Sequence, residues 1–193
     1  WAKTFFSRLP INESDIILNL ELLREALIEN LDKETAELVK EFMNDGIQRF
    51  ATETPGIPSY ISEDNPLAYL ASAFLGYLIK GDKDSAQEII LKAMENGTTI
   101  KEIYLHVFQI TQRETGRLWQ TGEITVAHEH FITAATQTIM SRLYPYLFSG
   151  SKKGKKIIVA CTAGEMHEMG ARMVADIFEL NGWNSFYFGS NTP

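Results

Sequence analysis

The stretch that decides the fold is KIIVACTAGEMHEMGARMVADIFELNGWNSFYFG, residues 156–189. Its apolar run IIVAC is short and continuous, which is typical of a buried parallel strand. Apolar residues then recur at helical spacing from about Glu168 to Leu180, and Asn181-Gly182 ends that pattern. The run SFYFG indicates a second strand. Strand, helix and strand together predict one βαβ unit, the beginning of an α/β domain whose sheet two strands do not complete.

Amphipathic helices account for most of the chain upstream of this unit. Asn65-Pro66 is a helix start signal, and Thr99 to Glu102 has the pattern of a capping box. Between residues 66 and 148 the sequence predicts four helices joined by short connections, which indicates an antiparallel four-helix bundle. Their expected bounds are 66–80, 83–95, 99–120 and 125–147. Two earlier helices are expected at about 14–31 and 33–50.

Composition shifts divide the chain into three expected domains. The Pro-, Gly- and acid-rich stretch ATETPGIPSYISEDNP follows the first two helices, and the polar stretch SGSKKGKK precedes the first strand. The division is an N-terminal helical segment with its linker at 1–62, the bundle at 63–148 and the first βαβ unit at 149–193. Because that unit is incomplete, we expect its missing elements in a longer parent protein.

Charge and cysteine content limit the classes of function. With 18 basic and 25 acidic side chains the net charge is -7, so direct binding of nucleic acid by this chain is not expected. No apolar run approaches the roughly 20 residues of a membrane span, and no signal peptide is evident. Cys161 is the only cysteine. That content fits a reducing compartment, and we expect a cytoplasmic protein.

His167 lies just past the carboxyl end of the first strand, where ligands bind in open α/β sheets. A neutral imidazole is a good ligand for a transition metal, and Glu165 could hold its other ring nitrogen. Gly170 leaves room for something bulky. One histidine is too few for a zinc site built by protein alone, but it suffices for a metal that arrives in a macrocycle. The alternative is a histidine at a helix N-terminus with no ligand.

A second group of candidate residues lies in the bundle. The helix that starts at Thr99 has a stripe of residues on one face that reaches Trp119. The next helix has Val126, Glu129 and His130 near its start. Polar groups beside an apolar stripe suggest a pocket for a large ligand with polar groups. The alternative is a core tryptophan with an exposed Glu-His pair.

The two segments together resemble a known family. GEMHEMGARMVADIFELNGW is similar to the opening of cobalamin-binding domains, whose E/D-x-H-x-x-G histidine replaces the dimethylbenzimidazole base as lower axial ligand of cobalt. TGRLWQTGEITVAHEHFITAATQTIMSRLYP resembles the helical cap of cobalamin-dependent photoreceptors, with the same Trp-x9-Glu-His spacing. The resemblance covers about residues 66–193. It implies an α + α/β fold: a four-helix bundle cap, then the start of a Rossmann-like (flavodoxin-like) cobalamin-binding domain, with an extra N-terminal helical segment.

The resemblance also implies roles for single residues. His167 would bind cobalt, with Glu165 in support and Met166 and Gly170 at the corrin. Adenosylcobalamin would be the cofactor, and its adenosyl group would be sheltered by the residues of the cap: Trp119, Val126, Glu129 and His130. In that family light breaks the cobalt–carbon bond, the adenosyl group leaves and the cap moves.

Three departures from the family pattern bear on function. Gln120 stands where light-sensing repressors have a second cobalt-binding histidine. Residues 1–60 do not resemble a DNA-binding domain, so the expected output is another signalling domain or a partner protein. A homo-oligomer or a fused output domain is expected as the partner of this chain. The later motifs around the nucleotide tail are absent from the sequence. Two alternatives stay open: a corrinoid protein that carries a methyl group on methylcobalamin for a methyltransferase, and a helical interaction module without a cofactor.

Overall fold

The computed structural model describes residues 2–53, 56–148 and 151–193. These residues fold mostly into helices, with a small two-stranded parallel sheet. The predicted fold class, a helical bundle followed by the start of an α/β domain, is confirmed. In these ranges, no helix combines the length and the apolar character that a membrane crossing requires.

The chain divides into two compact units, which are Trp1–Pro58 with Arg117–Glu123 and Ser59–Gly116 with Ile124–Pro193. The division into three domains that the sequence suggests is a different partition, and it stays a prediction.

The first unit contains a helical hairpin of α2 (Glu13–Asn30) and α3 (Lys33–Thr52), preceded by α1 (Ala2–Phe6). The hairpin matches the two expected helices to within two residues at each end. Asp32 explains where α3 begins, because its carboxylate accepts hydrogen bonds from the backbone N–H groups of Glu34 and Thr35 and so caps the helix. The sequence did not predict α1, whose five residues are too few for a periodic pattern.

The helices that follow along the chain are α4 (Ala68–Ile79), α5 (Lys83–Glu95), α6 (Ile100–Glu102), α7 (Gln109–Thr121), α8 (Val126–Arg142) and α9 (Tyr144–Leu147). The capping box predicted at Thr99 is present and opens α6. A π-helical segment, Ile103–Phe108, joins α6 to α7. There the N–H of Gln109 donates to the carbonyl of Tyr104, five residues back.

At two helix ends the structure differs from the predicted capping or length. The helix expected from Pro66 begins at Ala68, although Asn65 does accept a hydrogen bond from the Leu67 N–H. The helix expected to reach Leu147 ends at Arg142, and the separate short helix α9 follows. Pro145 accounts for this break, because proline has no N–H to continue the helical hydrogen bonds.

Aromatic packing forms the centre of the helical core. The rings of Tyr104 and Phe108 lie 5.6 Å apart between centroids, and those of Phe108 and Phe74 lie 5.3 Å apart. All three side chains are fully buried. The predicted stripe on this face is buried as far as Thr115, and the Thr115 hydroxyl donates to the Thr111 carbonyl within the helix.

The α/β part consists of β1 (Lys156–Val159), α10 (Met169–Leu180) and β2 (Asn184–Tyr187). The strands pair in parallel with Lys156 opposite Asn184, so the predicted βαβ unit is confirmed. The polar stretch SGSKKGKK occupies residues 149–156. Its first two residues lie outside the described residues. Lys152 pairs with Glu179, and the Lys153 N–H donates to the Gly182 carbonyl at 2.8 Å, so these lysines contact the α/β part.

Helix α10 carries the polar groups that join the α/β part to the bundle. The Tyr104 hydroxyl donates to the Asp176 carboxylate at 2.8 Å, in a buried position. Nη2 of Arg172 donates to the Ser141 hydroxyl at 2.7 Å, and its guanidinium lies over the ring of Tyr144. Burial raises the pKa of Asp176, and the hydrogen bond from Tyr104 and the charge of Arg172 only partly offset that effect.

We expect Asp176 to make folding stability fall as pH rises from about 4, the ordinary value for an aspartate. The folded protein holds this proton more tightly than the unfolded chain, so the contribution falls until pH passes the folded pKa. Asp176→Asn removes the titration, while its amide oxygen can still accept from Tyr104. Urea denaturation of both proteins over a pH series should show that the free energy of unfolding of the variant increases relative to that of the wild type as pH rises. A stability difference that does not change with pH would contradict this role of Asp176.

Candidate functional site

His167 lies in the loop between β1 and α10, with its side chain 96% exposed. Its Nδ1 lies 2.7 Å from Oε1 of Glu165, and its backbone N–H donates to the same oxygen at 2.6 Å. Since a carboxylate only accepts hydrogen bonds, Nδ1 carries the proton in this contact. The lone pair of Nε2 is then free to bind a metal ion.

Glu165 is the residue that fixes the histidine ring. The pKa of its carboxyl is lowered, first by the hydrogen bond from the His167 backbone N–H and then by the bond from the His167 ring. Glu165 is therefore ionised at neutral pH. An ionised carboxylate on Nδ1 orients a metal-binding imidazole and increases the basicity of its other nitrogen.

Backbone hydrogen bonds hold this loop to the segment that follows β2. The Gly164 N–H donates to the side-chain oxygen of Asn191 at 2.8 Å, and the Asn191 N–H donates to the Glu165 carbonyl at 2.9 Å. Asn191 has φ 48, in the left-handed region that asparagine tolerates better than most residues. At the start of the loop, the Cys161 N–H donates to the Gly189 carbonyl at 3.0 Å. The position of His167 is thus fixed by both flanks of its loop.

Glu168, directly after His167, connects the loop to two other segments. Its Oε1 accepts a hydrogen bond from Nε2 of Gln137 on α8 at 3.1 Å. Its Oε2 accepts from the Ser190 N–H at 3.0 Å. Burial acts to raise the pKa of Glu168, but hydrogen bonds from Tyr187, Gln137 and Ser190 together outweigh it and lower the pKa.

Two further residues predicted for the site leave its surface open. Met166 is 67% exposed. Gly170 is exposed in the first turn of α10, and a Cβ built there would meet no atom within 4 Å. The surface around His167 therefore has room for a large flat group.

The loop offers one metal-binding nitrogen and no complete set of ligands. In the described part of the chain, no three His, Cys, Asp or Glu side chains group closely enough to hold a metal ion. A single exposed imidazole backed by a carboxylate fits a metal that brings its other ligands with it. These residues therefore fit the axial position of a cobalt corrin.

The helical candidates lie at the start of α8. Thr125 caps this helix together with His128. In the first turns Glu129 hydrogen-bonds to Nδ1 of His130, whose side chain is 77% exposed. The other oxygen of Glu129 accepts from the Thr133 hydroxyl at 3.1 Å. The pair is thus oriented by hydrogen bonds within α8.

Val126 lies one turn before His130 on the same helix and is 52% exposed. Beside the polar pair it adds an apolar contact surface. The start of α8 therefore offers both hydrogen-bonding groups and apolar area to a ligand.

Trp119 belongs to the first compact unit, where it meets α1. Its ring is tilted against that of Phe5, with 6.1 Å between centroids, and it is 36% exposed. The Arg8 guanidinium donates to the carbonyls of Trp119 and Gln120. The structure thus brings Glu165, Met166, His167 and Gly170 together in one loop. It places Val126, Glu129 and His130 on the first turns of α8. That all of them meet one ligand stays a prediction.

Sequence patterns did not identify four residues that contact these elements: Phe5, Arg8, Gln137 and Glu168. Glu168 had a signal, since it sits inside the motif directly after the histidine. The other three had none, because their roles depend on contacts distant in sequence. A surface depression runs along α3 between Glu34 and Asn44 and contains no predicted site residue.

Comparison with known proteins bears on the helical part and on the fold. Residues 70–144 match the family model described as B12 binding domain. No curated protein matches the chain.

Solved structures provide the fold comparison. The monomethylamine corrinoid protein of Methanosarcina barkeri is 18% identical over 66% of this chain and 60% of its own, with a TM-score of 0.56. The methanol:cobalamin methyltransferase complex of the same organism is 17% identical over 88% of this chain and 60% of its own, with a TM-score of 0.40. A cobalamin-binding protein from Desulfitobacterium hafniense DCB-2 is 22% identical over 64% of this chain and 58% of its own, with a TM-score of 0.34.

The chain spans about three fifths of the length of each of these structures. At 18% identity, the likeness to the monomethylamine corrinoid protein shows the fold alone, a helical bundle followed by a Rossmann-like domain. The family match over 70–144 adds the connection to vitamin B12. The family match thus concerns residues 70–144, and the structural likeness concerns the fold.

Proposed function

We propose that the chain is a cobalamin-binding sensory module that uses His167 as the lower axial ligand of cobalt. The observation that carries this proposal is the exposed His167 ring, held through Nδ1 by the ionised Glu165 with Nε2 left free. A histidine that served only the fold would have little reason to be 96% exposed and oriented by a carboxylate at the same time. In open α/β sheets, ligands usually bind to the loops at the carboxyl ends of the parallel strands, where His167 lies.

The upper ligand in this proposal is an adenosyl group, and the helices of residues 63–148 form its cap. The half-buried Glu129 and the exposed His130 are polar groups already oriented by hydrogen bonds, which suits recognition of a ribose or an adenine edge. Val126 and Trp119 would add apolar surface and exclude water. A methyl group would need neither the polar pair nor an aromatic side chain.

Bound adenosylcobalamin would supply a cobalt–carbon bond that light can cleave. The protein's part is to bind and orient the cofactor through His167 and to shelter its upper face with the first turns of α8. A cap that makes contacts with the adenosyl group gains stability from them only while that group is present. Cleavage would therefore shift the population toward a cap that is free to move.

The test is the visible absorption spectrum of the protein with adenosylcobalamin, recorded in the dark and after green light. We expect binding in the dark and an irreversible spectral change on illumination. An unchanged spectrum with the cofactor demonstrably bound would refute the sensory function. Tight binding of methylcobalamin with rejection of adenosylcobalamin would favour a corrinoid methyl carrier instead.

A further inference from the structure

We propose that Glu168 is a positioning residue that couples the His167 loop to helix α8. The inference rests on the proposed function, because it gives the cap a physical connection to the loop that carries the axial histidine. The coupling partner on α8 is Gln137. Neither residue would touch the cobalt in this proposal.

The first step is that both carboxylate oxygens of Glu168 are used, in different directions. One accepts from the Gln137 side chain at 3.1 Å and the other from the Ser190 N–H at 3.0 Å. The side chain therefore bridges the bundle and the segment after β2. Hydrogen bonds to a charged acceptor are about twice as strong as neutral ones.

The second step is that the backbone of Glu168, which continues directly from His167, is itself held by hydrogen bonds. Its carbonyl accepts from the Tyr187 hydroxyl at 3.3 Å and from the Arg172 N–H at 3.0 Å. The next peptide unit begins α10. The side chain that contacts α8 is thus attached to an ordered backbone, one residue from the histidine.

The third step is the position of Gln137 on α8. It lies seven residues after His130, which is two helical turns along the same face. Because a helix moves as a stiff element, a displacement of the first turns is transmitted to Gln137 over about 10 Å. Val126, Glu129 and His130, which are proposed to contact the upper ligand, therefore lie on the same stiff helix as Gln137, which contacts Glu168.

The rest of the junction does not depend on this contact. Tyr104 with Asp176 and Arg172 with Ser141 also join α10 to the bundle. Loss of the contact between Gln137 and Glu168 should therefore leave the fold intact and separate the loop from α8. This property makes the coupling testable by substitution.

The decisive variants exchange the two side-chain types. Gln137→Glu places a second carboxylate against Glu168, and the two acceptors repel each other. Adding Glu168→Gln restores both contacts, since the new amide oxygen can accept from Ser190 while the new amide nitrogen donates to the carboxylate introduced on α8. Thr138→Ala is the matched control, because Thr138 is exposed on α8 and donates only to the Ala134 carbonyl.

The test has two measurements. One is hydrogen exchange of the amides of residues 161–168 in the protein without cofactor, and the other is the visible spectrum with cobalamin bound. Gln137→Glu should speed exchange in this loop and weaken cobalamin binding by up to about tenfold, the low end of the range for loss of a direct partner of a metal ligand, because Gln137 acts on His167 only through Glu168. The double variant should return both readouts to the wild-type values.

A double variant no better than Gln137→Glu alone, or a Gln137→Glu protein identical to Thr138→Ala, would overturn the coupling. The exchange measurement needs no cofactor. If the wild type fails to bind cobalamin, the proposed function fails while the coupling is still judged by exchange.

Discussion

Replacing His167 with Ala is expected to weaken cobalamin binding by about 100-fold or more and to change the visible spectrum of what still binds. The imidazole nitrogen would be the only protein ligand of the metal in this account. Loss of a residue that merely hydrogen-bonds to a metal ligand already costs about 10- to 100-fold in metal affinity. The exposed ring has no packing role, so the fold should be unaffected. Spectral titration of the protein with adenosylcobalamin in the dark measures the effect.

Two variants of the same loop serve as controls for this prediction. Glu165→Gln keeps an oxygen acceptor but loses the charge, so we expect a loss nearer tenfold. Thr162→Ala changes an exposed side chain of the loop and should bind as the wild type does. Binding and spectrum that survive in His167→Ala would place the cofactor elsewhere.

Replacing Tyr104 with Ala should lower the free energy of unfolding by about 3–5 kcal/mol, the range for removal of a buried aromatic side chain. The ring is fully buried against Phe108, and its hydroxyl donates to the buried Asp176. The substitution therefore leaves both a cavity and an unpaired polar group. The midpoint and slope of urea denaturation measure the change.

Tyr104→Phe separates the two causes. It keeps the ring and removes the hydrogen-bond donor, so it should lower the free energy of unfolding less than Tyr104→Ala does. The difference between the two variants measures the effect of the cavity. Equal losses in the two variants would mean that the ring contributes nothing to packing. A loss in Tyr104→Ala below about 1 kcal/mol would mean that this region is not the structured core described above.

The sequence predicted helices well where periodicity and capping residues agree. The helix expected at 83–95 has those bounds in the structure, and the capping box at Thr99 is formed. The prediction failed where a local rule was overlooked, as at Pro145, or where the element is too short for periodicity, as in α1. The π-helical segment was also missed, since side-chain spacing alone does not distinguish it from an α-helix.

The candidate site shows the same division between local and distant contacts. Glu165 and His167 are two residues apart, so their hydrogen bond could be foreseen from spacing. The contact of Gln137 with Glu168 could not, because it depends on how the bundle packs against the α/β part, across 31 residues of sequence. The packing of Phe5 on Trp119 is likewise beyond the reach of a sequence pattern.

The central claim is that a protein histidine, His167, is the axial ligand of cobalt. Electron paramagnetic resonance of the protein loaded with the cobalt(II) form of cobalamin tests it most directly, with natural and with nitrogen-15-labelled histidine in the protein. The account predicts that the nitrogen splitting changes from triplets to doublets on labelling, and that this signal is lost in His167→Ala. Triplets that persist in the labelled protein would show that the axial nitrogen does not come from a histidine, and would contradict the account.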